Sequence, residues 1–138
     1  MPNDAFERVV EACTLYSVRA AALINGAASN AAEAADIYKH AIYPPGCPDD
    51  LAALAVARHR GASGLQFLRV PTTGYEVSTR IGAAMGRAHY RHWHNTGTVG
   101  TFGAAAAAGV LLGLDEKGMV HALLPWPPSL RPAYSRPS

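Results

Sequence analysis

Charge is scarce in this 138-residue chain: only 16% of its residues are Asp, Glu, Lys or Arg, and the formal net charge is +2. So small and scattered a positive excess leaves no electrostatic footprint for nucleic acid. Cysteine is scarce too. Cys13 and Cys47 form neither a metal-type pair nor a disulfide framework, and they read as reduced thiols of a cytoplasmic protein. No apolar run is long enough to span a bilayer, because Gly, Arg and Asn interrupt every stretch. The start, Met1-Pro2-Asn3-Asp4, lacks the basic end and apolar centre of a signal peptide. Alternating strand patterns and internal repeats are also missing. What is abundant is hydrophobic side chain, at 49% of residues, enough for the core of one domain.

The apolar spacing is helical throughout, so the expected class is all-α. A first helix is expected from Asp4, with Glu7 completing a capping box, toward Leu23 and Ile24, with a break at Gly26. A short second helix is expected from Ala27 to Tyr38. Tyr43-Pro44-Pro45-Gly46-Cys47-Pro48 reads as a loop, since proline is excluded from helix interiors. Asp49 or Asp50 would then cap a third helix ending at Gly61, and Ser63 a fourth. Pro71 should kink or break that fourth helix, with the pattern resuming from Tyr75 to Gly86. A polar loop from Arg87 to Asn95 leads into a Gly/Ala-rich helix from Thr96 to Leu112, expected to be central because it lacks bulk. Asp115 caps a last helix ending near Leu123. The domain is therefore placed at 1–123, and the Pro/Ser/Arg-rich residues 124–138 are read as a disordered or frame-shifted tail.

Two segments have the residue types for chemistry. One runs from Glu33 through Asp36 to His40. The other is His89-Tyr90-Arg91-His92-Trp93-His94-Asn95-Thr96-Gly97-Thr98-Val99-Gly100-Thr101-Phe102-Gly103. In the second, a histidine loop feeds a helix start rich in Gly and Thr. Free N–H groups, hydroxyls and a proton-moving ring there would suit a carboxylate or phosphate. The alternative reading of Gly97, Gly100 and Gly103 is close helix packing. Their spacing resembles that of dinucleotide-binding glycines, but no strand precedes them. His89, His92 and His94 have no Asp, Glu or Cys interleaved, so no metal site is assigned.

Ala20-Ala21-Ala22-Leu23-Ile24-Asn25-Gly26-Ala27-Ala28, Gly74-Tyr75-Glu76-Val77 with Arg80-Ile81-Gly82, and His94-Asn95-Thr96-Gly97-Thr98 with Gly100-Thr101-Phe102-Gly103-Ala104-Ala105-Ala106 occur in that order. Leu111-Leu112-Gly113-Leu114-Asp115 follows them. In this the chain resembles the MmgE/PrpD family from about Ala20 to Leu123. The resemblance implies part of an all-helical domain that in the family pairs with an α/β lid. It also implies cofactor-independent acid–base chemistry on small di- or tricarboxylates, as in 2-methylcitrate dehydratase, cis-aconitate decarboxylase and an iminodisuccinate epimerase, and a homodimer. Carried over residue by residue, it implies catalytic roles for His94 and Asp36 and substrate contacts from Glu33, Thr96, Gly97 and Thr98, with no metal. The chain departs from the family at Glu33 and Ala35, each standing for an aspartate, and at Tyr43 or Pro44, standing for a catalytic histidine. Pro71 replaces an ordinary helix former. A family lysine contributed from further downstream is not in this sequence. The expectation is a partial family member that is inactive alone, or else a non-catalytic helical packing or dimerisation module.

Overall fold

The computed structural model describes residues 16–31 and 35–124. Among them the chain forms helices α1 (Val18–Ala31), α2 (Gly46–Arg60), α3 (Gly64–Tyr90), α4 (Asn95–Thr98), α5 (Gly100–Leu112) and α6 (Glu116–Leu123). There is no strand, only one antiparallel bridge between Tyr38 and Tyr43. The protein is all-α. None of these helices is long and apolar enough to cross a membrane.

The Gly/Ala-rich α5 is central, packing against α2, α3, α4 and α6, while α1 packs on α2. Small side chains make this possible. A Cβ on Gly100 would fall 2.5 Å from Pro48 Cγ, and one on Gly103 would collide with the Asp49 carboxylate. Close packing is therefore the role of these two glycines. Ala53, Val70 and Ala107 join across α2, α3 and α5, flanked by Phe67 and Leu111. A second cluster of Ala41, Tyr43 and Val99, with Tyr38 against it, seats the α1–α2 loop on the start of α5.

The expected caps at Ser63 and Asp115 are present. Ser63 Oγ accepts from Gln66 N at 3.3 Å while Gln66 Oε1 accepts from Ser63 N at 2.8 Å. Asp115 Oδ1 accepts from Gly118 N at 2.8 Å. The α2 helix ends as expected, with Gly61 in the left-handed region.

Other boundaries differ, each for a physical reason. The expected Asp4–Glu7 capping box and the tail beyond Leu124 lie outside the described residues. Helix α1 runs through Gly26, where the intrinsic cost of about 1 kcal/mol is outweighed by burying Ala21 and Asn25, one turn apart, on the remainder. Tyr38 is not helical, because its N–H donates to the Tyr43 carbonyl at 3.0 Å across a tight turn. Helix α2 starts inside the proline loop, at Gly46, and neither Asp49 nor Asp50 is its cap residue. Pro48 is tolerated there because its missing N–H falls in the first turn, where no donor is needed. Pro71 does not break α3. Within this helix the only non-helical angles are at Gly86, φ 63° and ψ −172°. One lost bond at Pro71 is offset by Val70 and Gly74, buried on either side of it. The helix start expected at Thr96 is a single turn from Asn95 to Thr98, followed after Val99 by α5.

Candidate functional site

The N-terminus of α2 brings together Asp36, Asp49 and Asp50. Gly46 N donates to Asp36 Oδ1 at 3.2 Å, which ties the α1–α2 loop to the first turn of α2. A Cβ placed on Gly46 would lie 2.6 Å from Tyr75 Oη, 2.9 Å from Asp36 Oδ1 and 3.3 Å from Asp50 Oδ2. Three oxygens from a loop, α2 and α3 thus converge where only glycine leaves room. They line a cavity of about 310 Å³ shared with Ser29, Asn30, Cys47 and Leu51. The Cys47 thiol is free and donates to the Gly26 carbonyl at 3.8 Å.

Burial and neighbouring carboxylates bias Asp50, Asp49 and Tyr75 toward their protonated forms. The Asp50 carboxyl is raised by burial and by the Asp36 charge, and its hydrogen bond with Tyr75 opposes this. Burial also holds the Tyr75 phenol above its ordinary range, helped by Asp36. One residue away, Asp49 is 0% exposed. Ser78 Oγ donates to its Oδ2 at 2.8 Å, while Oδ1 has no hydrogen-bond partner. Burial pushes the Asp49 carboxyl up to about 7, opposed by Ser78 and assisted by Asp50 and Asp36. The arrangement can pass protons between carboxyl groups, with the Tyr75 phenol as a hydrogen-bond donor beside them and the buried Asp49 carboxyl behind.

The second segment lies elsewhere. His94 is the exposed residue before α4, without a side-chain capping bond. Its carbonyl accepts from Gly97 N at 3.0 Å and Thr98 N at 3.1 Å. The Thr98 hydroxyl meets His89 Nε2 at 2.9 Å, and His89 stacks on Trp93. Gly97 is exposed, its nearest neighbour being His94 Nδ1, 3.9 Å from where a Cβ would stand. Neither His94 nor Thr96, Gly97 or Thr98 lines the Asp36 cavity. The two segments are linked through Asn95, buried, whose Nδ2 donates to the Ala41 carbonyl of the Asp36 loop. Glu33 lies outside the described residues. Among those residues no three His, Cys, Asp or Glu side chains are grouped to hold a metal ion.

A family model for the MmgE/PrpD N-terminal domain matches residues 7–124. The chain belongs to the MmgE/PrpD family. It is 35% identical over 113 residues to a cis-aconitate decarboxylase-like protein of Aspergillus oryzae, an alignment covering 72% of this chain and 23% of that protein. The chain thus spans about a quarter of the length of the curated relative it matches. No solved structure matches it significantly.

Asp49, Asp50 and Ser78 were not among the MmgE/PrpD positions marked out by sequence, and Tyr75 stood in a family motif without being given a site role. Helical spacing does contain a signal for Asp49: it shares a stripe with Ala53, Val56 and Ala57, all buried on α2. A charged residue on an apolar stripe is a candidate for burial. Tyr75 and Ser78 reach the site only through the packing of α3 on α2, which no local pattern announces.

Proposed function

We propose that this chain supplies one wall of a carboxylate-processing lyase or isomerase site of the MmgE/PrpD type, and that it does not turn over substrate by itself. The observation that carries this reading is the convergence of Asp36, Asp50 and Tyr75 around Gly46 in one cavity. Asp36, the exposed member of that group, is the base. Asp50, held toward its protonated form, is the corresponding acid.

Charge explains the lack of turnover. The described residues lining this cavity include two carboxylates and no Lys, Arg or His. A di- or tricarboxylate entering it meets repulsion with no cation to offset it. His94 and the N–H groups near Thr96, Gly97 and Thr98 are the donors through which such a substrate would be held, and they stand apart from the cavity. Tyr43, one of the two residues standing where the resemblance places a histidine, is 1% exposed and its phenol is pushed up to about 12 by burial, so it offers no proton transfer near neutrality. Acid and base are present but the anion holder is not assembled beside them.

The test is direct. The purified chain is incubated with cis-aconitate, 2-methylcitrate and iminodisuccinate, and products are followed by NMR. No turnover is expected. Activity that disappears in both Asp36→Asn and His94→Ala would overturn the proposal of inactivity while supporting the site.

A second reading, a non-catalytic packing or dimerisation module, is favoured by the exposure of Leu65 at 61%, Leu68 at 70% and Val110 at 44%. Sedimentation equilibrium separates the two, since a monomer at micromolar concentration is inconsistent with a dimerisation role.

A further inference from the structure

A larger hollow opens on the other side of the molecule, where the turn between α2 and α3 meets α5. Its volume is about 450 Å³, within the range of small-molecule sites. Arg60, Gln66 and Arg69 supply its polar side chains, and Val70, Val110 and Leu111 its apolar wall. It shares no residue with the Asp36 cavity.

Each of these polar side chains has N–H donors to offer. The ion pair formed among the described residues is Arg80 with Glu76, so Arg60 and Arg69 have no acidic partner there. Gln66 is oriented by the capping box: its Oε1 accepts from Ser63 N at 2.8 Å, leaving the amide NH₂ as its free group. Among the described residues no carboxylate lines the hollow. Arg60, in the last turn of α2, also complements the helix dipole, but Arg69, in the second turn of α3, has no such role. Two guanidinium forks and an amide match an acceptor-only planar head group. Val70, only 4% exposed, with Val110 and Leu111, matches a short apolar body.

We infer that this hollow is a binding site for a small aliphatic carboxylate, its head group on Arg60, Arg69 and Gln66 and its chain on Val70, Val110 and Leu111. The site stands independently of the proposed acid–base function.

The experiment titrates hexanoate into the full chain while amide shifts are followed by NMR. Saturable shifts are expected at Arg60, Gly61, Ala62, Gln66, Arg69, Val110 and Leu111. Hexanol and inorganic phosphate are each expected to bind at least tenfold more weakly, because each offers half of the complement. Arg60→Gln with Arg69→Gln should weaken hexanoate at least tenfold without changing the melting temperature. Gln66→Glu provides a second variant that preserves folding: glutamate keeps the capping box but puts a carboxylate oxygen where the NH₂ was. It should lose hexanoate while melting no lower than the parent. Phosphate binding as tightly as hexanoate would reduce the site to ordinary ionic attraction, and hexanol doing so would reduce it to an apolar hollow. Either result, absent shifts, or unchanged binding by Gln66→Glu overturns the inference.

Discussion

Asp49 allows the most quantitative test of how this fold is held. Its carboxyl is fully buried between α2, α3 and α5, and its folded pKa is raised from 3.8 to about 7. A carboxyl raised on folding binds its proton more tightly in the native state than in the unfolded one. The stabilising contribution is therefore complete below 3.8, declines as pH rises, and is gone above about 7. Each unit is worth about 1.4 kcal/mol, and about two units of this linkage fall between pH 5 and pH 8, a loss of about 2 to 3 kcal/mol. Asp49→Asn removes the ionisation and retains the volume and an acceptor for Ser78. Urea melts of both proteins at pH 5 and pH 8 isolate the effect, since the other titrating groups are common to both. The variant is expected to match the parent within about 1 kcal/mol at pH 5 and to exceed it by about 2 kcal/mol at pH 8. Parallel pH dependence of the two proteins would refute the reasoning, as would a variant that is less stable at pH 8.

The glycines allow a paired comparison by the same melts. Gly103→Ala is expected to cost about 2 to 3 kcal/mol, because the new Cβ meets the buried Asp49 carboxylate. Gly97→Ala is expected to be neutral or to gain up to about 1 kcal/mol, since its nearest neighbour is 3.9 Å away within a helical turn. Asp115→Ala removes the cap of α6 and should cost about 1 kcal/mol, with faster amide exchange at Gly118 and Met119.

Local chemistry was the legible part of this fold. Ser63 and Asp115 were readable as caps because a cap depends on atoms within three residues. The centrality of α5 was readable because a helix without bulk gains little unless neighbours approach its backbone. Punctuation by glycine and proline was misleading at Gly26, Pro48 and Pro71. In each case, burial on the remaining helix face or position in the first turn outweighed a local preference that is worth at most a few kcal/mol. The candidate site was less legible. Asp36 stands in a distinctive segment, and so does His94, which lies apart from the cavity, whereas Asp50 looked like a cap and Tyr75 like one more apolar position on α3. Their meeting around Gly46 is set by how α3 crosses α2, a long-range property without a local signature.

The Tyr75 hydroxyl is the neighbour that opposes protonation of Asp50, the acid proposed for this cavity. Burial and the Asp36 charge raise Asp50, and the bond with Tyr75 lowers it again. Tyr75→Phe removes only the opposing influence and leaves the ring to pack. The Asp50 carboxyl should therefore titrate at still higher pH in the variant, a shift visible in its ¹³C carboxyl resonance. The sign of the stability effect follows. A further rise in the folded pKa of a carboxyl adds stability at low pH that is lost as pH rises through that higher value. Relative to the parent, the variant should thus melt better at pH 5 than at pH 8, whatever the constant cost of the lost hydroxyl. Asp36 also loses its hydrogen bond from that hydroxyl, but it keeps its bond from Gly46 N. An Asp50 midpoint that stays or falls in Tyr75→Phe would mean that the phenol does not control this carboxyl. Asp50 would then lose its assignment as the acid opposite Asp36.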